Sequence, residues 1–219
     1  MSKYILEFEK PIKRIEDEIQ ALKTSSVSTG INVDDKLNEL HNKLNQEYVK
    51  IYSNLTRWQK VELARHSDRP HTSDYINLIT EDWMELHGDR KYADDPSIIA
   101  GIATISSKRF IIIGHEKGRG TKNKLYRNFG MAKPEGYRKA LRIMKLGEKF
   151  NLPIITLIDT PGAYPGIGAE ERGQSQAIAD NLFNMSSLEV PIISIVIGEG
   201  ASGGALAIGL ADKIFCLEN

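Results

Sequence analysis

Val190-Pro-Ile-Ile-Ser-Ile-Val-Ile-Gly-Glu-Gly-Ala-Ser-Gly-Gly-Ala-Leu-Ala-Ile-Gly209 is the stretch from which the fold can be read. Pro191 to Ile197 is apolar and β-branched apart from Ser194, which predicts a strand buried on both faces. Four glycines follow (Gly198, Gly200, Gly203, Gly204), and Ala205-Leu-Ala-Ile208 then reads as a short, tightly packed helix. A strand, a glycine turn and a helix start gather free backbone N–H groups at one point, where they face negative charge. The expected ligand is an anion or an oxyanion.

Several readings share these letters. Gly198-Glu-Gly-Ala-Ser-Gly203 matches the dinucleotide fingerprint, with Glu218 near the ribose-binding distance, although Asp212-Lys213 leaves room for only a short helix. Gly200-Ala-Ser-Gly-Gly204 matches a nucleophile elbow, but no histidine follows His115, so the triad order fails. A bare oxyanion hole of main-chain amides is the third reading. In the fourth, the glycines merely let a helix pack on a sheet.

Composition narrows the classes. The 219 residues suffice for one sizeable domain plus an appendage, with 26% charged and 41% hydrophobic residues, as in an ordinary soluble protein. Lys plus Arg equals Asp plus Glu at 29 each, so no global field argues for nucleic acid or membrane. No apolar run could span a bilayer, the N-terminus lacks a signal-peptide core, and a cytoplasmic location is expected. The single Cys216 excludes an internal disulfide and, within Ile214-Phe-Cys-Leu217, is expected to be buried.

Working outward, the N-terminal third predicts a helical hairpin over residues 1–55. Ile12, Ile15, Ile19 and Leu22 form one stripe and Leu37, Leu40, Leu44, Tyr48 and Ile51 the other, with a loop over Thr24–Val33 and an N-cap at Asp34 or Asp35. Short helices are expected from Thr56 to Gly88, with Trp83, Met84 and Leu86 as core anchors. His66, His71 and His87 lack ligand spacing, so no metal is expected. Ile98–Ile105 and Arg109–Gly114 read as a β-hairpin closed by Ser106-Ser-Lys108. Lys117, Arg119, Lys122, Lys124, Arg127 and Lys133 follow with no acidic residue between them. They read as a solvated loop or as a flexible segment that draws in a phosphate or carboxylate. A helix from Pro134 to Phe150 leads to a strand over Leu152–Ile158. That strand ends in a second glycine-rich turn, Asp159-Thr-Pro-Gly-Ala-Tyr-Pro-Gly-Ile-Gly168, and no P-loop exists for a GTPase reading of it. Two such turns at the carboxyl ends of parallel strands would line one crevice.

Arg127-Asn-Phe-Gly-Met131, Pro134-Glu-Gly-Tyr-Arg-Lys-Ala140, Ile158-Asp-Thr-Pro-Gly-Ala-Tyr-Pro-Gly166, Ala169-Glu-Glu-Arg-Gly-Gln-Ser175 and Val196–Gly209 together resemble the carboxyltransferase alpha subunits of bacterial and plastid acetyl-CoA carboxylases. The likeness runs over nearly the whole chain, including Glu85-Leu-His-Gly-Asp-Arg90. It implies an α/β, crotonase-like (ClpP/crotonase) ββα spiral over residues 56–219, behind the hairpin and C-terminally incomplete, since relatives continue beyond Asn219. It also implies transfer of a carboxyl group from carboxybiotin to acetyl-CoA, giving malonyl-CoA for fatty acid synthesis. The implied partners are a zinc-bearing beta subunit in an α2β2 assembly, the biotin carboxyl carrier protein and biotin carboxylase. Biotin would be the cofactor, carried on its partner, with no metal in this chain and a cytoplasmic or plastid-stroma location. On this reading the amides of Gly203, Gly204 and Ala205 hold the charge on biotin's ureido oxygen, with Gly162 and Ala163 as companion turn. Gly200 and Ser202 shape the substrate turn, while Lys117, Arg119 and Lys122 serve CoA phosphates or a subunit interface. Ala201 stands where relatives more often carry glycine, which is tolerable if its φ is negative.

Overall fold

The computed structural model describes residues 5–218, which fall into two compact units, one running to Asp68 and one from Arg69 to Glu218. In the first unit, α1 (Lys10–Thr29) and α2 (Asp34–Tyr52) form the expected hairpin, followed by α3 (Arg57–Ala64). Ile15, Ile19 and Leu40 are buried at its centre, with Leu22, Leu37 and Leu44 beside them. The connecting loop is shorter than the serine content suggests. Ser28 Oγ satisfies itself on the Ser25 carbonyl within the helix, and α1 stops only at Gly30, whose φ of 69° lets its N–H return to the Ser26 carbonyl. Asp34 and Asp35 lie in the first turn of α2 rather than capping it; the cap position is Val33, with Asn32 accepting the Asp34 N–H. Thr56 and Gln59 close a reciprocal capping box on α3. This short helix groups with the hairpin in the first compact unit.

The second unit runs α4 (Thr72–Ile79), β1 (Asp82–Glu85), β2 (Ile98–Ile105), β3 (Lys108–His115), α5 (Gly120–Tyr126), α6 (Pro134–Lys149), β4 (Ile154–Thr160), α7 (Ile167–Glu171), α8 (Gln174–Met185), β5 (Ile192–Gly200), α9 (Ser202–Leu206) and β6 (Lys213–Cys216). The six strands lie in one sheet in chain order. β1–β2 and β2–β3 are antiparallel, while β3–β4, β4–β5 and β5–β6 are parallel. Ser106 and Ser107, at φ 48° and 61°, make the tight β2–β3 turn whose twist matches that of the strands it joins. Each parallel pair is bridged by a helical crossover, as parallel strands require.

Strand periodicity sorts the core. Ile98, Ala100, Ile111, Ile113 and Ile154 face α6 and α8, packing on Tyr137, Ala140, Ile143, Met144 and Ala177. The alternate residues Ile99, Ala103, Ile112 and Leu157 face the other way, with Ile76 of α4. Each fully buried isoleucine contributes about 1.5–3 kcal/mol. Ser194 interrupts β5 because Thr156 interrupts β4 beside it, and the two buried hydroxyls bond at 2.6 Å.

Three expectations change. Trp83 and Met84 belong to strand β1, and Met84 is exposed; its alternate residue Trp83 packs on the α4 side of the sheet. β5 feeds both core clusters, Ile192 and Val196 on one face and Ile195 and Ile197 on the other, but its start is less covered than expected, since Ile193 is 37% exposed. β6 is exposed throughout, so Cys216 is an exposed thiol and not a core residue. Among the described residues no helix is long and apolar enough to cross a membrane.

Gly101 is the tightest point of the antiparallel half, because a Cβ there would collide with the Met84 carbonyl and approach the Trp83 ring at 2.8 Å. We expect Gly101→Val to destabilise the chain by about 2–3 kcal/mol in urea unfolding, by forcing β1 off β2.

Candidate active site

The carboxyl ends of β3, β4 and β5 meet in a buried charge network. Lys117, just past β3, places Nζ 2.6 Å from Asp159 Oδ1 at the end of β4 and 2.7 Å from Glu199 Oε2 at the end of β5. Asp159 Oδ1 also accepts the Glu199 N–H at 2.9 Å. The Asp159 side chain is only 2% exposed, and a Cβ on Gly198 would run into its carboxylate. One lysine therefore ties three parallel strands together beneath the turns that leave them. Removing one partner of such a network leaves an uncompensated buried charge.

The two glycine turns stand on this base. Gly204 packs directly on the Gly162–Ala163 peptide: a Cβ there would lie 2.5 Å from the Gly162 carbonyl carbon and 2.6 Å from the Ala163 nitrogen. Ser202, at φ 55°, reverses the chain into α9, and Ala201 has φ −107°, so its methyl group is accommodated without strain. The N–H groups of Ser202, Gly203 and Gly204 precede the first intrahelical acceptor and have no partner within the helix. The Ala205 N–H is the first one inside, 3.1 Å from the Ala201 carbonyl. Ala205 is thereby removed from the expected donor set, and Gly203 with Gly204 remain. Gly200 continues the β4–β5 ladder opposite Thr160 and serves as scaffold.

Gly162 sits at φ 146°, with open space where a side chain would stand. Its N–H is taken by Thr160 Oγ1 at 3.1 Å, and that hydroxyl donates to the Gly130 carbonyl at 2.7 Å. The Gly162 N–H is therefore already bonded within its own turn. Gln174 Nε2 bonds the Ala132 and Tyr164 carbonyls at 2.8 and 2.9 Å, fixing the turn from the other side. Asn128, Phe129 and Gly130 carry three consecutive positive φ values of 46°, 57° and 78°. Strain of this kind costs about 1–3 kcal/mol per non-glycine residue and is held here by Thr160.

The basic stretch is neither loose nor free. Gly120–Tyr126 is helix α5; Lys117 is spent on Asp159 and Glu199, and Arg119 bonds Asp74 at 2.6 Å and the Arg69 carbonyl at 3.0 Å. Lys122 is exposed on α5. Glu116 lies beneath, 3.1 Å from His71 Nδ1 and accepting the Ser73 and Gly118 N–H groups. Burial would push its carboxyl up, but these bonds hold it down at about 2. Among the described residues no group of three potential ligands could hold a metal.

Sequence reasoning missed His115. It is fully buried at the end of β3, among the described residues neither ring nitrogen makes a well-formed hydrogen bond, and the Gly204 and Leu157 main chains make only weak polar contact with it. Burial pushes the imidazole down to about 3, so a neutral ring supports the underside of the Gly204 turn. Asp159 was legible only as part of Asp-Thr-Pro-Gly, with no hint that a lysine forty-two positions upstream would meet it.

Residues 5–219 match the family described as acetyl co-enzyme A carboxylase carboxyltransferase-like. A protein of Xanthomonas campestris pv. campestris named acetyl-coenzyme A carboxylase carboxyl transferase subunit alpha is 55% identical over 218 residues, covering 100% of this chain and 68% of the relative. The protein of that name in Campylobacter concisus is 57% identical over 220 residues, again covering 100% and 68%. Among solved structures, the beta subunit of Pseudomonas aeruginosa geranyl-CoA carboxylase superposes with TM-score 0.55 at 19% identity, over 68% of this chain and 30% of that one. The transcarboxylase 12S core with hydrolysed methylmalonyl-coenzyme A bound superposes with TM-score 0.58 at 22% identity, over 70% and 30%. The chain thus spans under a third of those structures' length, and at such identities they show a shared crotonase-like fold.

The neutral burial of His115 sets a pH dependence. Its folded value lies below the unfolded value of 6.5, so the unfolded chain binds a proton that the native chain refuses. Stability is complete above about pH 6.5 and falls as the pH drops toward 3. Between pH 7 and 5 we expect a loss of about 2 kcal/mol in urea unfolding, absent in His115→Phe.

Proposed function

The chain belongs to the acetyl-coenzyme A carboxylase carboxyltransferase-like family, and from that premise we propose that it works as the alpha subunit, a transferase moving a carboxyl group from carboxybiotin to acetyl-CoA. The observation that carries the reading is the start of α9, where the Gly203 and Gly204 N–H groups precede the first intrahelical bond and Gly204 is seated against the Gly162–Ala163 peptide. Biotin fits this place chemically, because its ureido oxygen is an acceptor for N–H donors and nothing lies within 4 Å of where a Gly162 Cβ would stand. When bound, carboxybiotin supplies the carboxyl group. That chemistry would exchange the carboxyl group's bond to the ureido nitrogen for one to the acetyl methyl carbon, with that carbon's proton passing to the nitrogen.

What the chain contributes is electrostatic. The Gly203 and Gly204 amides donate to the ureido oxygen, which gains negative charge as the carboxyl group departs. Because these donors are fixed by backbone geometry, they need no reorganisation as the charge develops. The Lys117–Asp159–Glu199 network holds the strand ends from which both turns rise. Neutral His115 adds no competing positive charge under the turn. We further propose that acetyl-CoA is met jointly with a zinc-bearing beta subunit in an α2β2 assembly. Biotin would arrive on its carrier protein after loading by biotin carboxylase, placing the reaction at the entry to fatty acid synthesis in the cytoplasm or plastid stroma.

Gly204→Val tests this directly. In a complex reconstituted with the beta subunit, kcat for malonyl-CoA formation from carboxybiotin should fall at least about 100-fold, while affinity for the beta subunit, read by gel filtration, stays unchanged. A fully active variant complex would contradict the proposal.

A further inference from the structure

A second site lies outside these turns, in the segment between β1 and β2. Residues 88–94 line a cavity of about 410 Å³, within the usual range of small-ligand pockets. Its two carboxylates are already occupied. Asp89 Oδ1 accepts the N–H groups of Lys91, Tyr92 and Ala93, and Oδ2 takes Arg138 Nε at 2.8 Å. Asp94 Oδ1 takes the Gly88 N–H and buried Lys139 Nζ, while Oδ2 faces His87 Nδ1 at 3.0 Å.

Two guanidinium groups make no direct ion pair with these carboxylates. Arg90 donates to the His87 carbonyl at 3.2 Å; Arg142 donates to the same carbonyl at 3.1 Å and to the Gly88 carbonyl at 3.0 Å. Among the described residues neither has an acidic side chain within ion-pair distance. Their convergence on one carbonyl holds like charges together, and burial with the Arg90 charge alongside lowers the Arg142 pKa, against the smaller opposing pull of the Asp94 and Asp89 charges. Arg90 is held at φ 62°, in the left-handed region, which turns its side chain back over Gly88. Such a pair lacks one thing, a multiply charged planar or tetrahedral oxyanion that both forks can share. Next to it, the Tyr92 ring is 65% exposed, with Arg172 Cζ 4.5 Å from its centroid on one side. The other side can stack a base.

We propose that residues 88–94 together with Arg142 form a binding site for a phosphorylated nucleoside, its phosphate on Arg90 and Arg142 and its base on Tyr92. A bare phosphate would use a small part of the cavity, which is why a nucleoside is assigned. The nucleotide end of a coenzyme A ester and a free nucleotide share this chemistry. The assignment is independent of the carboxyl-transfer reading, since binding is measured without turnover.

Isothermal titration of the full chain with adenosine 3′,5′-bisphosphate, ADP and inorganic phosphate tests it. Saturable binding of a nucleotide at least tenfold tighter than inorganic phosphate is expected, weakened tenfold or more in Arg90→Ala and severalfold in Tyr92→Ala. Both residues are exposed, and an unchanged thermal midpoint shows that the fold is retained. Preference for the bisphosphate identifies the coenzyme A source, and equal affinity for ADP identifies a free nucleotide. No saturable binding, equal affinity of Arg90→Ala and the parent chain, or capture of a polyglutamate peptide in preference to both nucleotides would overturn the proposal.

Discussion

The contact on which the rest depends is main chain against main chain. Gly204 rests on the Gly162–Ala163 peptide at a distance no side chain permits. Two crossover turns, from the ends of β4 and β5, can share one crevice only because neither carries a Cβ at the point of touch. The helix that begins at Ser202 leaves its first amides without intrahelical acceptors, and what Gly204 faces is backbone. A residue with any side chain at position 204 would separate the turns or force the sheet to yield.

Such closeness needs a rigid base, and the sheet supplies one at two levels. Lys117, Asp159 and Glu199 lock the strand ends by charge, inside a region dry enough that the attraction is poorly screened. Beneath, Thr160 ties the strained Asn128–Gly130 segment to the Gly162 turn. His115 fills the remaining space with an aromatic ring that stays uncharged. These groups touch no reacting atom. They determine where the amides sit, and in the proposed oxyanion site a misplacement of about 1 Å would cost much of the rate.

Much of this was legible before any coordinates. The apolar runs at Ile98, Arg109, Leu152 and Pro191 are strands because β-branched runs of that length suit no exposed helix, and the glycine clusters mark the two turns. The helical stripes located the hairpin. What escaped the letters was pairing across distance. Lys117 and Arg119 look like free cations until Asp159, Glu199 and Asp74 are placed beside them. Ala205 looks equivalent to Gly204 until the helical ladder begins one residue earlier than assumed. β1 was hidden because a four-residue edge strand with one inward tryptophan carries too little period to register. Cys216 looked buried because its run is apolar, yet β6 is an exposed edge strand.

The most direct test of the account is the response of individual amides in the complex with the beta subunit. With the alpha chain labelled with 15N, free biotin is titrated and the amide shifts are followed. The account predicts that Gly203 and Gly204 move most among the residues of α9, while Ala205, bonded within its helix, moves little. Shifts confined to Ala205 and later residues, or no change at either glycine at saturating biotin, would contradict it.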